Sequence, residues 1–324
     1  MTLARRRFLQ FAAGAAALSM MSRVSSAADY PTRPVHIIVG LPAGTATDTI
    51  ARLLSERLSK RLGQPVIIDN RAGASTSIAT EAVVRASPDG YTLLLANVVN
   101  ATNATFHPNL NFDFIRDIAP VSSIARAAFV MEVTPSLPAK TVPEFIAYAK
   151  ANPRRLMMAS GGNGTMNHVA GELFKTMAVI DLVHVPYSRG NPMPDLLSGQ
   201  VQVYFGPIPG SIGFIRDGTL RALAVTTATR SDALPDIPAV SEFLPGYEAS
   251  AWYGIGAPKG TPAEIVSRLN KEINASLADP TFKARLADLA STALPGSPDD
   301  FGKLIASDTE KWANVIRTAG IKPE

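Results

Sequence analysis

The 324-residue sequence contains no cysteine. That absence excludes disulfides, a thiol nucleophile, an iron–sulfur cluster and a lipid-modified cysteine anchor. Charge is sparse as well, at 18% of residues, with 31 basic and 27 acidic side chains and a net charge of +4. The bases form no long run outside the N-terminus, so neither a disordered polyelectrolyte nor a nucleic-acid-coating surface is supported. Long apolar runs are missing: the Ala-rich stretch from Phe8 to Met21 covers about 14 residues, where a bilayer span needs roughly 20. No phosphate-binding GxxxxGK[ST], dinucleotide fingerprint or GxSxG nucleophile elbow occurs. The four histidines, His36, His107, His168 and His184, show no metal-ligand spacing. No catalytic residue, metal or cofactor is therefore expected, which favours binding over turnover.

What is present begins with an address. Arg5, Arg6 and Arg7 precede the apolar stretch, and Ser26, Ala27 and Ala28 supply small residues for a leader peptidase. Residues 1–28 read as a signal peptide of twin-arginine type, cleaved near Ala27 and Ala28, which predicts export to the periplasm; the general secretion route is the alternative. Cleavage would remove Arg5, Arg6, Arg7 and Arg23 and no acid, so the mature chain would be neutral. The basic balance belongs to the leader.

The mature chain alternates short β-rich runs with helical patterns. Val35 to Val39 reads as a strand, and Ile50, Leu53, Leu54, Leu58 and Leu62 form one buried helical face that Gly63 terminates. Strands follow at Pro65 to Ile68 and Tyr91 to Ala96, with a helix between them over about Thr76 to Arg85. Continuous apolar strands separated by helices predict a parallel sheet covered by helices. The pattern repeats with a strand at Ala127 to Val133, a helix at Pro143 to Ala151, a strand at Leu156 to Ser160 and a helix from about Thr165 to Met177. Further strands are expected at Val183 to Val185, Val201 to Phe205, Leu220 to Thr226 and Ala249 to Ile255, with a short helix over Pro194 to Ser198. C-terminal helices carry Ile265, Leu269 and Ile273, and then Phe301 to Ile316, with Asp299 and Asp300 at a helix start and Trp252 and Trp312 in the core. This predicts two α/β lobes, residues 29–124 plus 251–324 and residues 125–250, joined by a hinge at the two crossings.

In open α/β sheets ligands bind beyond the carboxyl ends of the strands. Two strand-to-helix loops stand out there. Leu41 to Asp48 holds Gly44 and the capping-box spacing Thr45 to Asp48; Ser160-Gly161-Gly162-Asn163-Gly164-Thr165 also runs straight into a helix. Free N–H groups and the positive dipole end make each an anion site without formal charge; the alternative is two tight helix starts with no ligand. His36 and His184 lie in strand patterns and read as structural, while His168, one turn into the second helix, suits ligand contact and helix packing equally.

The mature chain carries Tyr-Pro-x-Arg-Pro at Tyr30 to Pro34, Asp-Asn-Arg-Ala-Gly-Ala at Asp69 to Ala74, Pro-Asp-Gly-Tyr-Thr-Leu-Leu at Pro88 to Leu94, Ser-Gly-Gly-Asn-Gly-Thr at Ser160 to Thr165, Val-His-Val-Pro-Tyr at Val183 to Tyr187 and Leu-Arg-Ala-Leu-Ala-Val-Thr at Leu220 to Thr226. On these motifs, from Tyr30 to the C-terminus, it resembles the Bug family, the periplasmic solute-binding proteins of tripartite tricarboxylate transporters. The resemblance implies a two-lobed, hinged periplasmic-binding-protein fold of type II-like form that holds a carboxylated ligand in the interlobe cleft. The ligand contacts it implies are Pro42, Ala43, Gly44, Thr45, Asp48 and Asn97 in the first lobe, and Ser160, Gly162, Asn163, Thr165 and His168 in the second, with Tyr187 on the cleft wall. Three departures bear on the ligand. Thr45 and Ala46 narrow a first loop that is usually richer in glycine; the stretch from Ser188 to Pro192 looks a residue short; and Gly206 stands where the family often has Asp. A carboxylate without an ammonium is expected, either a di- or tricarboxylate or an aromatic acid. The expected partners are that ligand and membrane transporter subunits, or alternatively a signalling receptor, with no nucleic acid, and the chain is expected to be monomeric. A periplasmic enzyme would need a nucleophile or general base that the sequence does not assemble.

Overall fold

The computed structural model describes residues 30–107, 109–187 and 190–322. The expected leader lies outside the described residues, as do Ser188 and Arg189 of the stretch from Ser188 to Pro192.

The first lobe starts with β1 (Val35–Val39), α1 (Ala46–Leu62), β2 (Val66–Asn70), α2 (Ser77–Val84), β3 (Thr92–Asn97), α3 (Val98–Phe106), α4 (Phe114–Asp117) and β4 (Ile118–Ala127). After Ala128 the chain enters the second lobe: β5 (Phe129–Val133), α5 (Val142–Ala151), β6 (Met157–Ser160), α6 (Met166–Ala178), β7 (Val183–Pro186), α7 (Met193–Ser198), β8 (Val203–Pro207), α8 (Ile208–Arg216) and β9 (Arg221–Val225). It returns through β10 (Ala251–Pro258), α9 (Ala263–Ala278), α10 (Pro280–Asp288), β11 (Ser291–Ala293) and α11 (Pro298–Thr318). The two sheets have the orders β11-β4-β10-β3-β1-β2 and β7-β6-β8-β5-β9.

The α/β reading and the helix-covered sheets hold, but the sheets are mixed where a parallel sheet was expected. β10 runs antiparallel to both β3 and β4, and β5 runs antiparallel to both β8 and β9. These four pairings join strands that enter or leave a lobe, so the chain direction reverses where it crosses. The single strand expected over Ala127 to Val133 is two strands in different sheets, divided at Ala128.

Local chemistry accounts for the legible elements. In α1, Ile50, Leu54 and Leu58 are fully buried, the Thr45 side chain caps the N-terminus and Gly63 ends the helix in the left-handed region at φ 69°. α11 begins with Pro298 behind a Ser297–Asp300 capping box, as the acidic pair predicted, and buries Phe301, Ile305 and Trp312. Both tryptophans are core residues, and both indole N–H groups donate to the buried Asp308, at 2.7 Å from Trp252 and 3.3 Å from Trp312.

Candidate functional site

The first loop leaves β1 and enters α1 at the carboxyl edge of the first sheet. Pro42, Ala43 and Gly44 are exposed. A Cβ on Gly44 would touch nothing, so the glycine is required by its φ of +84° and not by close approach. Asp48 organises this loop from below. Its carboxylate accepts from the Gly44 N–H at 2.9 Å, from Arg52 Nε at 2.9 Å and from Asn70 Nδ2 at 3.0 Å. Burial opposes ionisation, yet the hydrogen bonds from Arg52, Gly44 and Asn70 outweigh it and hold the carboxyl below the usual aspartate value. Asn70 also donates to the Leu41 carbonyl at 3.0 Å, which ties β2 to the loop. With its oxygens engaged in this way, Asp48 shapes the loop that Thr45 closes through its own bond to the Pro42 carbonyl at 2.9 Å.

A third wall was not visible in the sequence. Ala74, Ser75 and Thr76 all have positive φ, at 45°, 49° and 72°, a run of strained non-glycine residues at the edge of the cleft. Thr76 sits so close to Gly40 that a Cβ there would lie 2.7 Å from the threonine Cβ. Above this turn stands α3, capped by Asn97, the one contact here that the resemblance implied; Asn97, Asn100 and Asn103 recur every third residue and are all buried. Asn97 accepts from the Val99 N–H at 2.8 Å, which fixes its orientation and leaves Nδ2 buried without a partner. Asn100 donates to Thr76 and Thr80, and Asn103 donates to Ser77 while its Oδ1 has no partner. Buried polar atoms of this kind are rare in finished cores and common where a ligand or water completes the set.

The second loop leaves β6 at Ser160 and enters α6. Gly162 and Gly164 hold φ of 116° and 74°, and the Thr165 hydroxyl donates to the Gly162 carbonyl at 2.7 Å. Asn163 reaches the Lys322 carbonyl near the C-terminus at 3.1 Å. Ser160 is fully buried; its Oγ lies 2.6 Å from His184 Nε2 and accepts from the Gly162 N–H at 3.1 Å. His184 therefore braces this loop, which its place in a strand pattern did not reveal. A serine–histidine pair invites a nucleophilic reading, but this hydroxyl is sealed from any substrate. His168 is also buried, behind the loop, where its Nδ1 accepts from the Gly164 N–H at 3.2 Å.

Between the lobes lies a cavity of about 190 Å³, walled by Ser75, Asn103 and Phe106 on one side and by Asn163, Gly164 and Thr165 on the other. The lobes meet where the Phe106 ring covers Gly164, so closely that a side chain at 164 would overlap the ring. The cavity brings Asn163 and Thr165 together with α3. Pro42 to Thr45 do not line it, and Tyr187 lies apart, packed with Val185 and Tyr204, its hydroxyl bonded to Asp195.

The corner at Gly206 also differs from expectation. A side chain there would collide with the carboxyl of Glu132, which reaches across from the neighbouring strand. A carboxyl therefore does occupy this corner. Glu132 is fully buried, accepts from Ser211 at 2.7 Å and has its second oxygen unpartnered. Burial raises its pKa to about 8, so near neutral pH it is mostly protonated.

The TctC family profile, described as the tripartite tricarboxylate transporter family receptor, matches residues 50–321. The chain belongs to this Bug-type receptor family. Among its relatives is Protein BugT of Bordetella pertussis, 35% identical over 301 residues that span 92% of each chain. Among solved structures, Rpa4515 of R. palustris with adipate is 37% identical, covers 91% of this chain and 100% of its own, and superposes with a TM-score of 0.78. MatC of Rhodopseudomonas palustris with bound malate is 29% identical, covers 89% and 100%, and gives 0.73. Family membership sets the class as solute-binding receptor, and the family's two-lobed fold agrees with both sheets described above. No helix among the described residues is long and apolar enough to cross a membrane.

Proposed function

We propose that this chain is a periplasmic solute-binding protein that captures a small carboxylate between its lobes and delivers it to a tripartite tricarboxylate-type transporter. The observation that carries the reading is the pair of strand-to-helix loops, one per sheet, at the carboxyl ends of the parallel strands β1 and β6. Each ends in a threonine that precedes a helix of more than two turns, so each brings the positive end of a helix dipole to the carboxyl edge of its sheet. No lysine or arginine is needed for such a site. The adipate and malate held by two family members support a carboxylate ligand.

Among the described residues the chain crosses between the sheets at Ala128 and between Thr226 and Ala251. We take these crossings as the hinge about which the lobes close. The leader sends the protein to the periplasm by the twin-arginine route, and the mature chain acts as a monomer. Since Glu132 is mostly protonated at neutral pH, the corner near Gly206 offers little negative charge to an ammonium, which favours acids over amino acids.

The test is a thermal-shift panel of adipate, malate, citrate, benzoate and glutamate. A ligand that binds only the native state stabilises it by about 2.7 kcal/mol at a hundred times its Kd. One or more of the simple acids should raise the melting temperature while glutamate leaves it unchanged. Stabilisation by glutamate alone, or by none of the panel, contradicts the reading.

A further inference from the structure

His168 and His184 lie face to face, with ring centroids 3.6 Å apart and planes 8° from parallel. The pair sits directly beneath the second loop. A backbone N–H can only donate, so the bond from Gly164 N–H requires a lone pair on His168 Nδ1. The ring is therefore neutral as it stands, with its proton on Nε2. That nitrogen faces Glu172 Oε1 at 3.7 Å, and Lys175 Nζ lies 2.9 Å from the same oxygen. Burial works against the ionised form of Glu172, but the neighbouring His168 and the hydrogen bond from Lys175 more than offset it and hold the carboxyl below the ordinary glutamate value. Glu172 and Lys175 thus cancel, and the group beneath the loop is electrically neutral.

A carboxylate that closes into this cleft brings a negative charge against this neutral group, and the imidazole hydrogen-bonded to the loop can take up a compensating proton. We propose that His168 is the positioning residue of the second loop, and that ligand capture draws one proton onto its Nδ1 and frees the Gly164 N–H for the bound carboxylate. This rests on the carboxylate reading above. The proton comes from solvent and adds to the Nδ1 lone pair; Gly164 N–H loses its acceptor and turns to a ligand oxygen. Glu172 stabilises the imidazolium from the Nε2 side.

Other ionisable groups stand near. His107 lines the cavity opposite Gly164, and Lys322 meets the loop through its backbone carbonyl. Tyr204 reaches α6 through Asn167, and the Tyr247 hydroxyl donates to the Ala170 carbonyl; burial raises the pKa of both phenols, so neither changes charge near neutrality.

The experiment is calorimetric titration of the purified protein with adipate and with malate in phosphate and in Tris, two buffers of different ionisation enthalpy, at several pH values around neutrality. Proton uptake makes the apparent enthalpy differ between the buffers, and the affinity should weaken with rising pH, by at most about tenfold per unit for one linked proton. In His168→Gln the enthalpy should become buffer-independent and the pH profile flat. Tight binding with a buffer-independent enthalpy in the unsubstituted protein overturns the inference. So does uptake that persists in H168Q or disappears instead in H107Q. Failure of every acid in the thermal-shift panel would strike the carboxylate reading itself, a distinguishable result.

Discussion

Replacing Glu132 by glutamine isolates the energetics of the corner at Gly206. Glu132 lies in the middle of β5, fully buried, with Ser211 donating to one oxygen and no partner for the other. Burial raises its pKa from 4.5 to about 8. Between these values the unfolded chain releases a proton that the folded chain retains, so the folded state loses ground as pH rises. The slope is ~1.4 kcal/mol per pH unit, which amounts to about 3 kcal/mol by neutrality and on the order of 5 kcal/mol by the folded-state pKa, with no further loss above it. Glutamine keeps the shape and the acceptor for Ser211 and cannot ionise. Urea unfolding of both proteins across this range gives the stability difference at each pH, and every other titrating group cancels in the comparison. Glu132→Gln should gain on the unsubstituted protein steadily as pH rises from mildly acidic to mildly alkaline. A stability difference that stays constant with pH would refute the reasoning.

The contact between the lobes gives a second prediction. Gly164→Ala forces a Cβ into the Phe106 ring at a φ of +74°, where the backbone conformation alone costs ~1–2 kcal/mol, and calorimetry should show ligand affinity reduced at least tenfold; adding Phe106→Ala should recover part of it. Asp48→Ala removes the acceptor for Gly44, Arg52 and Asn70 and should cost about 1–3 kcal/mol in urea unfolding, together with affinity. Because its folded pKa lies below the unfolded value, the Asp48 contribution is present at neutral pH and disappears as pH falls through that lower value, so the penalty of Asp48→Ala should shrink in acid. Asp308→Ala leaves two buried indole N–H groups without their acceptor, and a loss of several kcal/mol is expected from the same measurement.

The helices that pack by a simple stripe were legible before the structure. Ile50, Leu54 and Leu58 in α1 and Phe301, Ile305 and Trp312 in α11 repeat at helical spacing, with Thr45, Gly63 and the Asp299–Asp300 pair marking the ends. The two loops were legible too, since each follows an apolar strand and runs straight into a helix. α3 was missed. Its sequence, Val98 to Phe106, is rich in Asn, Thr and Val, which are weak helix formers, and the helix is held by the Asn97–Asn100 capping box and by packing on α11. β4 was missed because Pro120, Ser122 and Ser123 interrupt its apolar run, and α8 because it carries Pro209, Gly210 and Gly213. The site features that escaped are of another kind. His184 beneath Ser160, Glu132 in the space beside Gly206 and Phe106 over Gly164 join residues 24, 74 and 58 positions apart, and no local period encodes such neighbours.

Crystals of the protein grown with whichever acid stabilises it most would test the central claim most directly. The account predicts the acid between the lobes, with carboxylate oxygens within hydrogen-bonding distance of backbone N–H groups from both the Pro42 to Thr45 loop and the Gly162 to Thr165 loop. An acid bound elsewhere, or held in the cleft by side-chain cations with neither loop's N–H groups engaged, would contradict it.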